Sequence, residues 1–156
     1  MKFKTLVLCS ALAAAAAFQA QAARAADGAA LYGANCGICH QADGMGVPGQ
    51  FPTLKGRIGK IAGSPEGKTY VEHVVLNGLT GSITAGGASY AGYMPTFASQ
   101  SDDDLAAILN YVASLGGSGA TPTFTAAEIK AARATPVAAP ALVDERKALD
   151  AKHPLP

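Results

Sequence analysis

Residues 36–40 read Cys-Gly-Ile-Cys-His, in a chain of 156 residues that holds only three cysteines. Two thiols three positions apart, with a histidine beside the second, form a compact donor set. Whatever they hold dictates how this part of the chain folds. Four chemistries use such a set. A structural zinc site needs four ligands, ordinarily with a second pair at similar spacing, and the other histidines, His73 and His153, stand alone. A thioredoxin-like redox pair wants a βαβ setting, whereas this pair follows a helical stretch and precedes a loop. A plain disulfide gives the histidine no role. Covalent c-type haem attachment uses all three residues: the thiols add across the haem vinyl groups and the histidine becomes the proximal iron ligand. The sequence therefore favours one covalent haem c, with Cys36 and Cys39 binding the cofactor and His40 binding its iron.

The rest of the N-terminal region supplies the compartment. Met1–Lys4 is short and basic, residues 5–18 form an apolar run, and Ala20-Gln21-Ala22 and Ala23-Arg24-Ala25 are small-residue cleavage signals. This is the pattern of a secretory signal peptide. The run is shorter than the about 20 residues a bilayer crossing takes. Residues 1–25 are therefore expected to be cleaved near Ala22 or Ala25, Cys9 with them. That leaves a periplasmic chain with no transmembrane segment. Its length, about 130 residues, suits one small domain. Losing Lys2, Lys4 and Arg24 takes the formal charge from +1 to −2. A near-neutral balance with no clustered basic face excludes a nucleic-acid binder.

Three main helices are legible. Residues 27–36 open on Asp27 as N-cap. Ser64-Pro65 starts a second helix with an apolar stripe of Tyr70, Val71, Val74 and Val75, ended by Asn77-Gly78. Ser101 caps a third, running to Leu115, with Asp102, Asp103 and Asp104 at the positive end of its dipole and Leu105, Ile108, Leu109 and Val112 on its buried face. Residues 41–64 and 81–96 are rich in Gly and Pro and read as loops, the second with a small hairpin around Gly86-Gly87. Loops this long are uncommon in a compact domain unless they wrap something. A large apolar ligand resolves the shortfall.

On these residues the sequence resembles the class I cytochromes c, over Gly28 to Leu115. Gly28 and Tyr32 match the family's glycine and aromatic on the first helix, Cys36, Cys39 and His40 match the attachment motif, and Tyr111 matches the aromatic of the last helix. Phe51-Pro52-Thr53-Leu54 resembles the loop whose proline follows the haem histidine by twelve residues. The resemblance implies an all-α class I cytochrome c fold, with three main helices and long loops around one covalent haem. It also implies that Gly28 lets the last helix cross the first closely, that the Pro52 carbonyl accepts the Nδ1 proton of His40, and that Tyr32 and Tyr111 pack near the haem.

The distal ligand is argued separately. Met45 lies five residues past His40, too near to reach the other face of the ring, and reads as a loop residue. Met94 lies fifty-four residues on, in Gly-Tyr-Met-Pro-Thr-Phe, where Pro95 stiffens the chain and Gly92 permits close approach. His40 and Met94 thus form the expected iron pair. His/Met ligation raises the potential and fills both axial positions. That describes a one-electron carrier rather than an enzyme. A monohaem peroxidase or a gas binder needs an open position on the iron.

The segments Val74–Ile83 and Tyr90–Phe97 resemble, more loosely, the cytochrome c subunits that take electrons from periplasmic flavin- or quinone-cofactor dehydrogenases. That implies such a dehydrogenase as donor and another cytochrome or an oxidase as acceptor. The alternative is a general soluble shuttle to a terminal oxidase or reductase. The domain reading is a leader at 1–25, a haem domain at 26–116, and a linker, short helix and extended C-terminal tail at 117–156. Thr125 and Glu128 are spaced as a capping box. The stripe of Phe124, Ile129 and Ala132 is too small to hold an isolated helix, and it is expected to lie on a partner. Lys55, Arg57, Lys60 and Lys68, diluted by Asp43, Glu66 and Glu72, are expected to form a scattered solvated surface, with His73 solvated beside them.

Overall fold

The structure, a computed structural model, describes residues 26–117 and 121–156. The expected leader and cleavage sites at 1–25, and residues 118–120 of the expected linker, lie outside the described residues. Helix α1 spans Gly28–Asn35 and a single turn, α2, spans Gly37–His40. A second single turn, α3, covers Ile58–Ile61 and is followed by α4, Pro65–Asn77. Strands β1 (Leu79–Ala85) and β2 (Ala88–Met94) come next, then α5 (Asp102–Ser114), α6 (Ala126–Arg133) and α7 (Ala141–Lys152).

Each main helix starts where its cap predicts. The Asp27 carboxylate accepts from the amides of Ala29 and Ala30 at 3.1 Å. Ser64 accepts from Gly67 at 3.1 Å, ahead of Pro65 at the first helical position. Ser101 accepts from Asp104 at 3.1 Å. These side chains satisfy amides that the helix itself leaves unpaired. The strands form an antiparallel hairpin, in register from Leu79↔Met94 to Ala85↔Ala88. Its two-residue turn is Gly86-Gly87, both with positive φ, the conformation that matches the twist of the flanking strands.

Helix α1 crosses α5 at Gly28. A Cβ there would sit 2.2 Å from the Ala107 carbonyl oxygen, so only glycine permits the contact. One turn on, the Tyr32 and Tyr111 rings pack with centroids 5.3 Å apart and planes tilted by 50°.

The C-terminal segment departs from expectation. It does not lie free for a partner but packs on its own domain, and residues 141–152, read as an extended tail, form α7. Phe124, Ile129 and Leu142 are among the most deeply buried side chains, in the same core as Tyr32, Leu105 and Val112. Asn110 of α5 holds the Phe124 backbone at both ends, accepting from its amide at 2.7 Å and donating to its carbonyl at 2.9 Å. Helix α6 packs on α4 and α5, and α7 packs on α4 and β1. The physical reason is additive: neither stripe suffices alone, but Phe124, Ile129 and Ala132 join Leu142 and Leu149 on a face that α4 and α5 leave open.

This packing also removes several charges from the solvent. Lys68 pairs with Glu128 at 2.6 Å, and His73 faces the Glu145 carboxylate at 3.1 Å. Arg57 and Glu72 are buried. These four were expected on a solvated surface; Glu128 of α6 and Glu145 of α7 pair two of them, and the Pro156 main-chain oxygen accepts from Arg57 at 2.7 Å.

Two predictions follow from the packing. Phe124→Ala leaves a cavity under α6 and should cost about 3–5 kcal/mol in reversible denaturation. A change within ±0.5 kcal/mol would show that the segment is not part of the core. Glu72 has a buried, unpartnered Oε1, and its pKa is raised above 4.5, first by burial and then by Glu128. A carboxyl raised on folding binds more protons when native, so its contribution is present at acidic pH and lost as pH rises through the folded-state value. Glu72→Gln should therefore raise Tm at neutral pH and flatten the decline in Tm above the ordinary carboxylate range, as scanning calorimetry would read.

Candidate functional site

Between α1, α4, α5 and the hairpin lies an inner cavity of about 100 Å³ that joins an outer cleft of about 400 Å³. Cys36, His40, Pro52, Leu79, Ile83 and Met94 line both. Cys39 lines the outer cleft. The inner walls are apolar: Ile58, Ile61 and Val71 from α3 and α4, and Ile108, Leu109 and Val112 from α5. A larger cleft of about 640 Å³ lies between α4 and α6, among Lys68, Glu72, His73 and Glu128. It is more polar and has no sulfur donor, so donor chemistry rather than size assigns the site.

His40 is placed by the loop that follows it. Gly46, at φ +68°, returns its amide to the His40 carbonyl at 2.9 Å, and a Cβ on it would meet the Phe51 carbonyl at 2.3 Å. The tight return brings the Pro52 carbonyl 2.9 Å from His40 Nδ1. A carbonyl only accepts, so Nδ1 carries the proton and Nε2 keeps its lone pair for a metal. Burial lowers the His40 pKa, against the smaller opposing effect of that hydrogen bond, and so favours the neutral ring that ligation needs.

Met94 ends β2 and is held from behind. Gly78, at φ +76°, lies so close that a Cβ would fall 2.6 Å from the Met94 carbonyl oxygen. Beyond Pro95, Thr96 Oγ1 donates to the Leu76 carbonyl at 2.6 Å and the Phe97 amide donates to the Val75 carbonyl at 2.8 Å. The end of α4 thus clamps the segment that carries the thioether. Gly92 lines the outer cleft with open space where a side chain would stand. Met45 is exposed, as a loop residue should be.

Burial, followed by Cys39, pushes the Cys36 thiol up to about 11. A thiol so hard to ionise is a poor redox or zinc thiolate. Tyr32 and Tyr111 are not among the lining residues. They stand behind the wall, where the Tyr32 hydroxyl donates to the Gln41 carbonyl at 2.7 Å, next to His40. Their role is to hold α1 and the start of the loop.

The residues fit a haem: an apolar slot, two thiols, a neutral imidazole and a thioether on the same walls. The comparisons agree. The cytochrome c family model matches residues 25–116. Cytochrome c-552 of Thermus thermophilus is 41% identical over 132 residues, covering 81% of this chain and 99% of that protein. The cytochrome c subunit of a quinone-dependent alcohol dehydrogenase from Gluconobacter oxydans is 33% identical over 109 residues, 69% of this chain but 22% of its own. The cytochrome c subunit of gluconate 2-dehydrogenase from Pantoea cypripedii is 33% identical over 109 residues, 68% of this chain and 24% of that one. The chain belongs to the cytochrome c family, whose members carry electrons on a covalent haem c, and Cys36-Gly37-Ile38-Cys39-His40 is its attachment motif.

When bound, that group supplies a reversible one-electron couple. The chain's own residues do the rest. Cys36 and Cys39 would hold the ring at the α2 turn, His40 and the Met94 thioether would offer donors to its iron, and the apolar wall would exclude water. Sequence reasoning placed neither Arg57 nor Arg146 on the cavity wall, and it did not single out Ile58 or Ile61. Arg146 had a signal, since Leu142, Arg146 and Leu149 follow i, i+4, i+7 spacing on one helix face; Arg57 had none.

Two substitutions test the site. Cys36→Ser with Cys39→Ser should abolish haem that survives acidified acetone on the polypeptide. Met94→Ala should remove the weak red-end band of sulfur-ligated ferric haem and let the reduced protein bind carbon monoxide, with Met45→Ala unchanged in both. The opposite pattern would reassign the ligand.

Proposed function

We propose that this chain is an exported carrier of single electrons, with His40 and Met94 as axial ligands. Its electrons come from a flavin- or quinone-cofactor dehydrogenase and leave to another cytochrome or an oxidase in the periplasm. The observation that carries this reading is that His40 and Met94, from distant segments, line one apolar cavity beside the two attachment thiols. With both axial positions occupied, no substrate reaches the metal, which disfavours a peroxidase or a gas binder. The leader pattern of residues 1–25 supports export, because thiol attachment to haem belongs with an exported chain.

The chain matches nearly the whole of the Thermus cytochrome c-552 but less than a quarter of the Gluconobacter subunit. The donor class rests on the 33% identity to two dehydrogenase cytochrome subunits. A second reading, a general respiratory shuttle, is favoured by the c-552 match itself.

Stopped-flow oxidation and reduction of the purified holoprotein separates the two. Rapid reduction by a reduced quinoprotein or flavoprotein dehydrogenase from the same cell, saturating with donor concentration, is the expected result. Slow reduction by every such dehydrogenase, together with rapid exchange with the quinol-oxidising complex and terminal oxidase, would give the shuttle. Substrate turnover by the chain alone would contradict both.

A further inference from the structure

The cleft of about 640 Å³ between α4 and α6 is separate from the haem site and has the size of a small-molecule site. Lys68, Glu72 and His73 line it from α4, and Glu128, Ala131 and Ala132 from α6. None of them lines the haem cavity, which takes Val71, Val74 and Val75 from α4. Glu72 is only 5% exposed, and its Oε1 is buried with no hydrogen-bond partner. A carboxylate so placed is costly unless a proton or a cation neutralises it. Lys68, one turn earlier on the same helix, is already committed. Its ammonium meets Glu128 at 2.6 Å and stands 5.3 Å from the Phe124 ring centroid. His73 is committed too, with Nδ1 3.1 Å from both carboxylate oxygens of Glu145 on α7. Among the charges that line the cleft, Lys68 and Glu128 cancel and Glu72 is left over.

That surplus selects a cation over an anion. The donor set selects an organic one, because among the described residues no group of three or more His, Cys, Asp or Glu side chains is placed to hold a metal ion. The rest of the wall is small and largely apolar, with Ala62, Pro65, Ala131 and Ala132. We propose that this cleft binds a primary ammonium on a short aliphatic chain, with the ammonium on the Glu72 carboxylate and the chain against Ala62, Ala131 and Ala132. An ammonium offers three donors and no acceptor, so it gives the carboxylate the charge-assisted partner it lacks. Bound there, it bridges α4 and α6 and stabilises the folded state by mass action. Without it, Glu72 takes a proton: burial first, and then Glu128, raise its pKa, while Lys68 and His73 oppose them. Glu145 acts through His73. Ligand and proton therefore compete for one carboxylate, and affinity rises with pH until that group is ionised. A free alkylamine and a lysine side chain of another protein share this chemistry.

The test uses the full-length holoprotein in its reduced form, with n-butylammonium chloride as the probe. The controls are n-butanol, sodium butyrate and sodium chloride, the salts at equal ionic strength. Binding is read by NMR, from the Glu72 carboxyl carbon and the backbone amides, and by the change in Tm. At neutral pH butylammonium should move the Glu72 carbon and the amides of α4 and α6 saturably, and raise Tm. Butanol and butyrate should bind at least about tenfold more weakly, and Glu72→Gln, which keeps the shape without the charge, should lose about tenfold or more in affinity for butylammonium. In the unmodified protein, affinity should fall about tenfold per pH unit below the pKa read from the same carboxyl carbon. Equal binding of butanol, shifts that sodium chloride reproduces, or unchanged affinity in Glu72→Gln would overturn the proposal. An affinity indifferent to pH across the Glu72 titration would also overturn it, and decides alone if the variant does not accumulate. Nα-acetyl-lysine amide, which carries the same ammonium chain on a peptide unit, separates the sources. Tighter binding than butylammonium assigns the cleft to a protein's lysine, and equal or weaker binding to a free amine.

Discussion

The crossing of α1 over α5 at Gly28 is the constraint on which the site depends. Helix α1 leads directly into the Cys36–His40 turn, and α5 supplies Ile108, Leu109 and Val112 to the cavity wall. Both are set by one backbone approach that leaves no room for a Cβ. The Tyr32 and Tyr111 rings then fix the crossing angle, and the Tyr32 hydroxyl fixes the first residue after the motif. From there the loop has one way back: Gly46 turns it, and Pro52 arrives over His40. Small residues and main-chain hydrogen bonds, not a large apolar core, place the attachment motif.

Much of this was legible because it depends on local chemistry. The caps Asp27, Ser64, Ser101 and Thr125, the Gly-Gly turn, and the Cys-x-x-Cys-His motif all act within a few residues, and each formed where its spacing implied. What was not legible depends on distant segments meeting. His73 is solvated only if nothing covers α4, and Glu145 lies 72 positions away. The role of Gly78 is invisible without the Met94 segment folded back against it. Tyr32 and Tyr111 were expected near the haem and instead brace the wall behind it. Arg57 reads as a surface charge until the C-terminal residues close over it.

The C-terminal segment changes the picture of the molecule most. A family match ending at residue 116 suggests a haem domain with an appendage. The structure has a continuous core in which Phe124, Ile129, Leu142 and Leu149 share packing with the haem-domain helices. The similarity to the Thermus cytochrome spans 81% of this chain, more than the family match alone accounts for, so the likeness extends beyond the haem domain. A clamp of two short helices is a reasonable answer to a small domain whose middle is given over to a cofactor: it adds apolar burial where three helices supply little.

The central claim is that His40 and Met94 close both faces of one covalent haem. Proton NMR of the reduced, diamagnetic protein tests it most directly, because a methionine methyl held over the ring is carried far upfield by the ring current. The account predicts one such methyl resonance, absent in Met94→Ala and present in Met45→Ala. No upfield methyl, or one that survives replacement of Met94, would contradict it.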